Sequence, residues 1–231
     1  SGLALTATPG KVGETFRSVQ LLEHGVPVTR SLGAFLADRS SDVLGVCLLG
    51  VIAAWFGEGR CSQVGWAFCV LLAASMMGKR ILLGASVRRA SMKWGRRFGR
   101  RPALLVIQAV LQWAKLWSLR NVPAFTLLAA CAYGIQALVF AWMCNRLDMG
   151  IAPLLAVQIF VNATLLGAAS LLPGGLGAME MALVLQLRDQ GVPDASALAA
   201  AIGLRLVTLW CGVAIGVAAM GSLVRGRPRS V

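Results

Sequence analysis

Charge is scarce in this sequence, and negative charge scarcest. Only 13% of the 231 residues are charged, with nine acids against 22 lysines and arginines, and no acid occurs between Glu58 and Asp148. That balance excludes an ordinary soluble globular domain, in which about a quarter of the residues are charged. Histidine is nearly absent; His24 stands alone, so a histidine-built metal site is excluded. The six cysteines (Cys47, Cys61, Cys69, Cys131, Cys144 and Cys211) contain no CxxC pair. They read as small hydrophobes and imply neither a metal nor a disulfide framework. No nucleophile–base constellation, metal cluster or cofactor loop is found, so the expectation is a protein that is not an enzyme and uses no cofactor and no metal. No positively charged, signal-like stretch precedes the first apolar residues after Ser1, and further N-terminal helices are expected to be missing from the sequence.

Apolar residues supply what charge does not. They make up 58% of the chain, with a mean hydropathy of +0.75, the composition of a polytopic membrane protein. The expected fold is an all-α inner-membrane helical bundle forming a single transmembrane domain over residues 1–231. Apolar spans are expected at about 29–56, 63–84, 123–144, 151–171 and 195–223. Residues 102–119 carry Trp113, Lys115 and Trp117 behind dense positive charge, so an interfacial helix and a true span both fit. Nine basic residues lie between 79 and 101. Between apolar spans, such a run is read as a cytoplasmic loop obeying the positive-inside rule and resting on anionic headgroups, with no nucleic acid as partner. The basic C-terminal tail (Arg225, Arg227, Arg229) is expected on the same side.

The pattern is interrupted at Leu172-Pro173-Gly174-Gly175-Leu176-Gly177. Proline and glycine are poor occupants of a helix interior, so the helix is expected to break here and restart through Glu180. At membrane depth a broken backbone must face protein or a wet cavity. The motif has a second copy. Pro9-Gly10-Lys11-Val12-Gly13 matches Pro173-Gly174-Gly175-Leu176-Gly177, Gly25-Val26-Pro27 matches Gly191-Val192-Pro193, and in both copies an arginine (Arg39, Arg205) follows that last proline by 12 residues. If the basic loop and tail are both cytoplasmic, the two copies insert in opposite directions. The half-repeats, about 1–60 and 150–223, would then form two inverted-topology re-entrant helices, a sequence pointer to a transporter's substrate site. Each arginine would lie about 16–18 Å into its span, near the midplane of a core about 30 Å thick.

The chemistry of these residues suits an anion. A half-helix that starts after a glycine turn offers unpaired N–H groups and a positive dipole end. Arginine keeps its charge when desolvated and presents a fork of donors to phosphate. The candidate substrate-binding set is Arg39, Arg205, Glu180, Glu14, Lys11, Arg17, Gly10, Gly13, Gly174, Gly175 and Gly177, with Pro9 and Pro173 as hinges and Asp38 and Asp42 as ion-pair support for Arg39. Three plainer readings stand beside it: a structural salt-bridge cluster at Asp38, Arg39 and Asp42, a solvated helix face at Lys11, Glu14 and Arg17, and tight helix packing at the glycines.

At TPGKVGE with Arg17, the Asp38-Arg39 pair, LPGGLGAMEMAL with Glu180, and the Gly-Val-Pro to Arg205 spacing, the sequence resembles the flippase-like transmembrane family named for the membrane region of lysylphosphatidylglycerol synthase. The resemblance covers almost the whole chain. It implies an integral inner-membrane protein with re-entrant helices that moves a lipid between leaflets. Aminoacylated phosphatidylglycerol is the substrate of the best-known members, and polyprenyl-phosphate glycan or hopanoid pathways are associated with others. No soluble aminoacyl-transferase domain is found in the sequence, so the synthase reaction itself is not implied. The expected function is a lipid flippase or transporter for a phosphate-bearing lipid. The alternatives are a secondary transporter of a small anion and a membrane scaffold for a lipid- or glycan-synthesis complex. Membrane lipids are the expected partners; a second copy of the chain or lipid- and glycan-synthesis enzymes are the candidate protein partners.

Overall fold

The computed structural model describes residues 27–56, 70, 100–118, 120–170, 172–210 and 213–214. Every regular element among them is helical: α1 (Val28–Phe56), α2 (Arg100–Leu116), α3 (Asn121–Arg146), α4 (Pro153–Ala169), a 3-10 turn (Pro173–Gly175), α5 (Ala178–Asp189), α6 (Asp194–Arg205) and a π-helical segment (Leu206–Trp210). The expected spans at 29–56 and 123–144 are present as α1 and α3, both long and apolar enough to cross a membrane. The span expected at 63–84, the greater part of the basic loop 79–101, and the tail lie outside the described residues. Two compact units divide within α3, one ending at Gly134 and the other resuming at Ile135.

In the unit that ends at Gly134, α2 and the start of α3 run in the same direction as α1. The contacts climb together. A β-carbon at Gly33 would lie 2.5 Å from Gln112 Cβ and 2.9 Å from the Ala109 oxygen. Further along, the Trp113 indole donates to Ser40 Oγ at 3.2 Å, and Ala37 and Leu44 share a buried cluster with Trp117 and Val122. A β-carbon at Gly45 would lie 2.6 Å from Ala129 Cβ, and one at Gly134 would touch Leu49. Between α2 and α3 the helix is interrupted at 117–120, and the freed groups find partners across the break. The Asn121 side-chain amide donates to the Leu116 carbonyl at 3.2 Å, and its backbone N–H donates to Ser118. Pro123, in the first turn of α3, costs nothing there because that N–H has no intrahelical acceptor. The expected 102–119 segment is thus, through Leu116, a short amphipathic helix that leads into a span.

The other unit stacks α4 on α5 and α5 on α6. Phe140 of α3 and Phe160 of α4, both fully buried, lie 6.3 Å apart. Asn162 of α4 donates to Gln186 of α5 at 3.2 Å. The connection from α5 to α6 explains the Gly-Val-Pro motif. Gly191 takes φ +81, its N–H donates to the Arg188 carbonyl, and the Val192 N–H donates to the Leu187 carbonyl. This is a Schellman stop, closed by the apolar pair Val192 and Leu187, both buried, and followed by a proline that cannot continue the helix. The span expected at 195–223 begins as α6 and passes into the π segment after Arg205.

The outer face of α3 exposes Leu127, Leu128, Ile135, Leu138 and Trp142, while Ala137, Phe140 and Cys144 are fully buried on the other side. Lipid tails are as apolar as leucine, so burying such side chains gives little net drive between helices; close dispersion contact does. The small-residue contacts at Gly33 and Gly45 therefore favour close helix association. Gly45→Val should lower stability by about 1–3 kcal/mol through overpacking, whereas Gly134→Ala, whose β-carbon meets only ordinary van der Waals contact at 3.9 Å, should be tolerated. Unfolding of the detergent-solubilised variants checks this.

Candidate functional site

The break at Pro173 is built from glycine conformations. Gly174 (φ +62), Gly175 (φ +64) and Gly177 (φ +83) all occupy the left-handed region, which other L-residues enter at a cost of about 1–2 kcal/mol. Gly175 has a second reason to lack a side chain: a β-carbon there would lie 3.2 Å from the backbone of Gly167 in α4. Ser170 closes the end of α4, its hydroxyl donating to the Gly167 carbonyl at 2.7 Å and accepting from the Leu172 N–H. Gly177 then opens α5 with no side-chain cap, so the first N–H groups of α5 lack a side-chain acceptor and Glu180 provides negative charge in that turn.

Arg205 ties this turn to α6. Its Nη2 donates to the Gly175 carbonyl at 3.0 Å and to Glu180 Oε2 at 3.3 Å. Its Nε lies 2.8 Å from Glu180 Oε1, but that N–H is not aimed at the oxygen and makes no hydrogen bond, so this contact is an ion pair by proximity. The residue is 9% exposed. Nη1 makes no hydrogen bond among the described residues, which leaves two donors of a desolvated guanidinium for a ligand. The Arg205–Glu180 pair carries no net charge, as burial in a membrane protein requires. Helix α6 gives way to the π segment at the next residue, and such insertions recur at functional sites.

Arg39 is arranged differently. Its partners are on its own helix: Nη2 to Asp38 Oδ2 and Nη1 to Asp42 Oδ2, both at 3.1 Å, with its guanidinium 5.6 Å from the Phe35 ring. Tyr133 of α3 lies near enough to Asp42 to interact with it electrostatically. The Arg39 side chain is half exposed. This is the arrangement of the local salt-bridge reading, with one carboxylate in excess. Arg39 and Arg205 fall in different units. Glu14, Lys11, Arg17, Gly10, Gly13 and Pro9, the whole first copy of the motif, lie outside the described residues.

The sequence put Arg205 and Glu180 in one candidate set but could not single out the Gly175 carbonyl, since a carbonyl's direction depends on the turn's dihedrals. It also missed Tyr133, which is 91 residues from Asp42 and carries no local signal.

Two substitutions separate the parts of the site. Gly175→Ala should destabilise more than Gly150→Ala, because Gly150 has a similar φ of +66 with nothing near its β-carbon; melting temperatures of the two variants check the order. Glu180→Ala should cost about 3 kcal/mol by stranding a buried guanidinium, and adding Arg205→Met should recover much of it, as read from unfolding in mild detergent.

Comparison with known proteins agrees with a membrane origin. The sequence profile of the lysylphosphatidylglycerol synthase TM region matches residues 1–216. A stretch of 70 residues, 30% of this chain and 21% of the relative, is 39% identical to a UPF0104 membrane protein of Methanothermobacter thermautotrophicus. A stretch of 76 residues, 32% of this chain and 9% of the relative, is 30% identical to a phosphatidylglycerol lysyltransferase of Staphylococcus aureus. No solved structure matches. The expectation that the chain is not an enzyme is overturned: one relative is itself a transferase, and the family is named for a synthase. A search for reacting side chains tests only whether chemistry is carried in the residues searched, and a membrane region can serve an enzyme without supplying them. By the profile match over most of its length, this integral membrane chain belongs to the lysylphosphatidylglycerol synthase transmembrane-region family.

Proposed function

We propose that this chain moves a phosphate-bearing lipid between the leaflets of a bacterial cytoplasmic (inner) membrane, with Arg205 holding the phosphate. The observation that carries the proposal is a guanidinium nine-tenths buried against a glycine turn. Among the described residues neither its Nη1 nor its Nε makes a hydrogen bond, while Nη2 is held by the Gly175 carbonyl and Glu180. Such a group binds an oxyanion without first being ordered, and Glu180 neutralises it while the site is empty. The uncapped start of α5, beside the same turn, adds N–H donors for the same anion. The turn at 173–177 is the hinge, and the first copy of the motif, around Pro9 and Gly10, supplies the inverted partner half-helix with Glu14, Lys11 and Arg17. The basic loop and tail face the cytoplasm by the positive-inside rule.

Arg39 takes a lesser part in this reading. Leu49 lies beside Gly134, close to the centre of α3. Arg39, ten residues earlier, is about 15 Å nearer the start of α1, at the edge of a core about 30 Å thick. Its half exposure and its own carboxylate partners suit a local ion-pair role. The fixed site at Arg205 suits the passage itself.

Headgroup translocation in proteoliposomes tests the proposal. Arg205→Ala and Arg205→Lys should each slow transport at least roughly tenfold, the second because an ammonium cannot replace the fork. Arg39→Ala should have a smaller effect. Equal rates in wild type and Arg205→Ala would overturn the role of Arg205.

A further inference from the structure

A cavity of about 390 Å³ opens between the first turn of α1 and α2, lined by Thr29, Gln108, Leu111, Gln112 and Lys115. Four of these five residues carry hydrogen-bond donors and none is acidic. Gln108, Gln112 and Lys115 follow one another at i, i+4 and i+7, so the helical repeat stacks them on one face of α2. Lys115 has no ion pair among the described residues, in contrast to Arg39 and Arg205, each of which is already held by carboxylates. Thr29 is 8% exposed, and its hydroxyl makes no hydrogen bond among the described residues. The first turn of α1 contains no acid and begins with N–H groups that have no intrahelical acceptor.

We infer that this cavity is a second oxyanion site, separate from Arg205, that takes a phosphate group through Lys115, the Gln108 and Gln112 amides and the Thr29 hydroxyl. The donors come from two helices, and no carboxylate lines the cavity. An ammonium contributes three N–H donors, each amide two, and the hydroxyl one, which matches a phosphate rich in acceptors and poor in donors. A carboxylate-free donor cluster is wasted on a cation. Lys115 also lies in the last turn of α2, where positive charge favours the helix dipole; that role accounts for the lysine alone and leaves the two glutamines and the buried threonine without a purpose. Phosphate of this kind has two sources, a phospholipid headgroup and the free ion.

Titration of the purified full chain in detergent distinguishes them. One arm adds inorganic phosphate at constant ionic strength, with chloride as the balancing salt; the other adds phosphatidylglycerol to the micelles at constant detergent. The readout is the apparent dissociation constant from the shift in melting temperature. Lys115→Gln should weaken binding roughly tenfold in whichever arm binds, by loss of one charge-assisted contact, and Lys115→Arg should retain it. Thr29→Val, nearly isosteric, should weaken it by a smaller factor and covers the case in which Lys115→Gln does not fold. The same losses should be seen in an Arg205→Ala background, where failure of the transport site leaves this site intact. Saturation in the phosphate arm assigns the free ion, and saturation only in the lipid arm assigns the headgroup. No saturation in either arm, wild-type affinity in Lys115→Gln, or loss of all binding in Arg205→Ala alone would overturn the inference.

Discussion

One guanidinium joins the pieces of the second unit that the backbone leaves apart. The turn at 173–177 makes few hydrogen bonds of its own, and its glycines pay the highest conformational cost of any residue when ordered. Arg205 compensates by donating to the Gly175 carbonyl while its charge is matched by Glu180 of α5. Turn, α5 and α6 are thereby fixed by a single side chain. In water such a contact would be worth little, since both partners would exchange it for solvent. Within a membrane domain the alternative is an unpaired ion in a medium that cannot solvate it, and that alternative is expensive. The interaction is strong because its absence is costly.

Small residues do the comparable work elsewhere. Gly33, Gly45, Gly167 and Gly175 each lie where a neighbouring backbone or β-carbon occupies the space a side chain would need. They let helices approach closely enough for dispersion and for weak polar contacts such as Trp113 to Ser40. The two charged centres show how differently a membrane chain can accommodate arginine. Arg205 is buried and paired across elements, whereas Arg39 is half exposed and paired along its own helix.

How much of this was legible in the sequence depends on the range of the signal. Helices α1 and α3 were readable because composition over about 20 residues decides whether a segment can cross a bilayer. The break at Pro173 was readable because proline and glycine act locally. The Gly-Val-Pro motif was seen as a repeat, but its physical content at 191–193 is narrower: it is a helix stop with glycine at the left-handed position and valine on the apolar contact. Its recurrence marks a helix start directly after each proline, at Val28 and at Asp194. The parallel course of α1 and α2, the Gly175 carbonyl, Tyr133 and the cavity at Lys115 were not readable, because each depends on residues far apart in sequence meeting in space. The break at 117–120 left only a faint trace, Pro123 within the first turn of α3.

The π segment after Arg205 has one further consequence. A π turn closes its hydrogen bonds over one residue more than an α turn, so Leu206–Trp210 holds a residue that a regular helix would not accommodate at that point. Were that turn to tighten to α geometry, Trp210 at its end would rotate by about 100° and advance by about 1.5 Å relative to Arg205. The segment therefore stores a one-residue slip directly beside the buried charge, a degree of freedom that a rigid bundle of straight helices would lack.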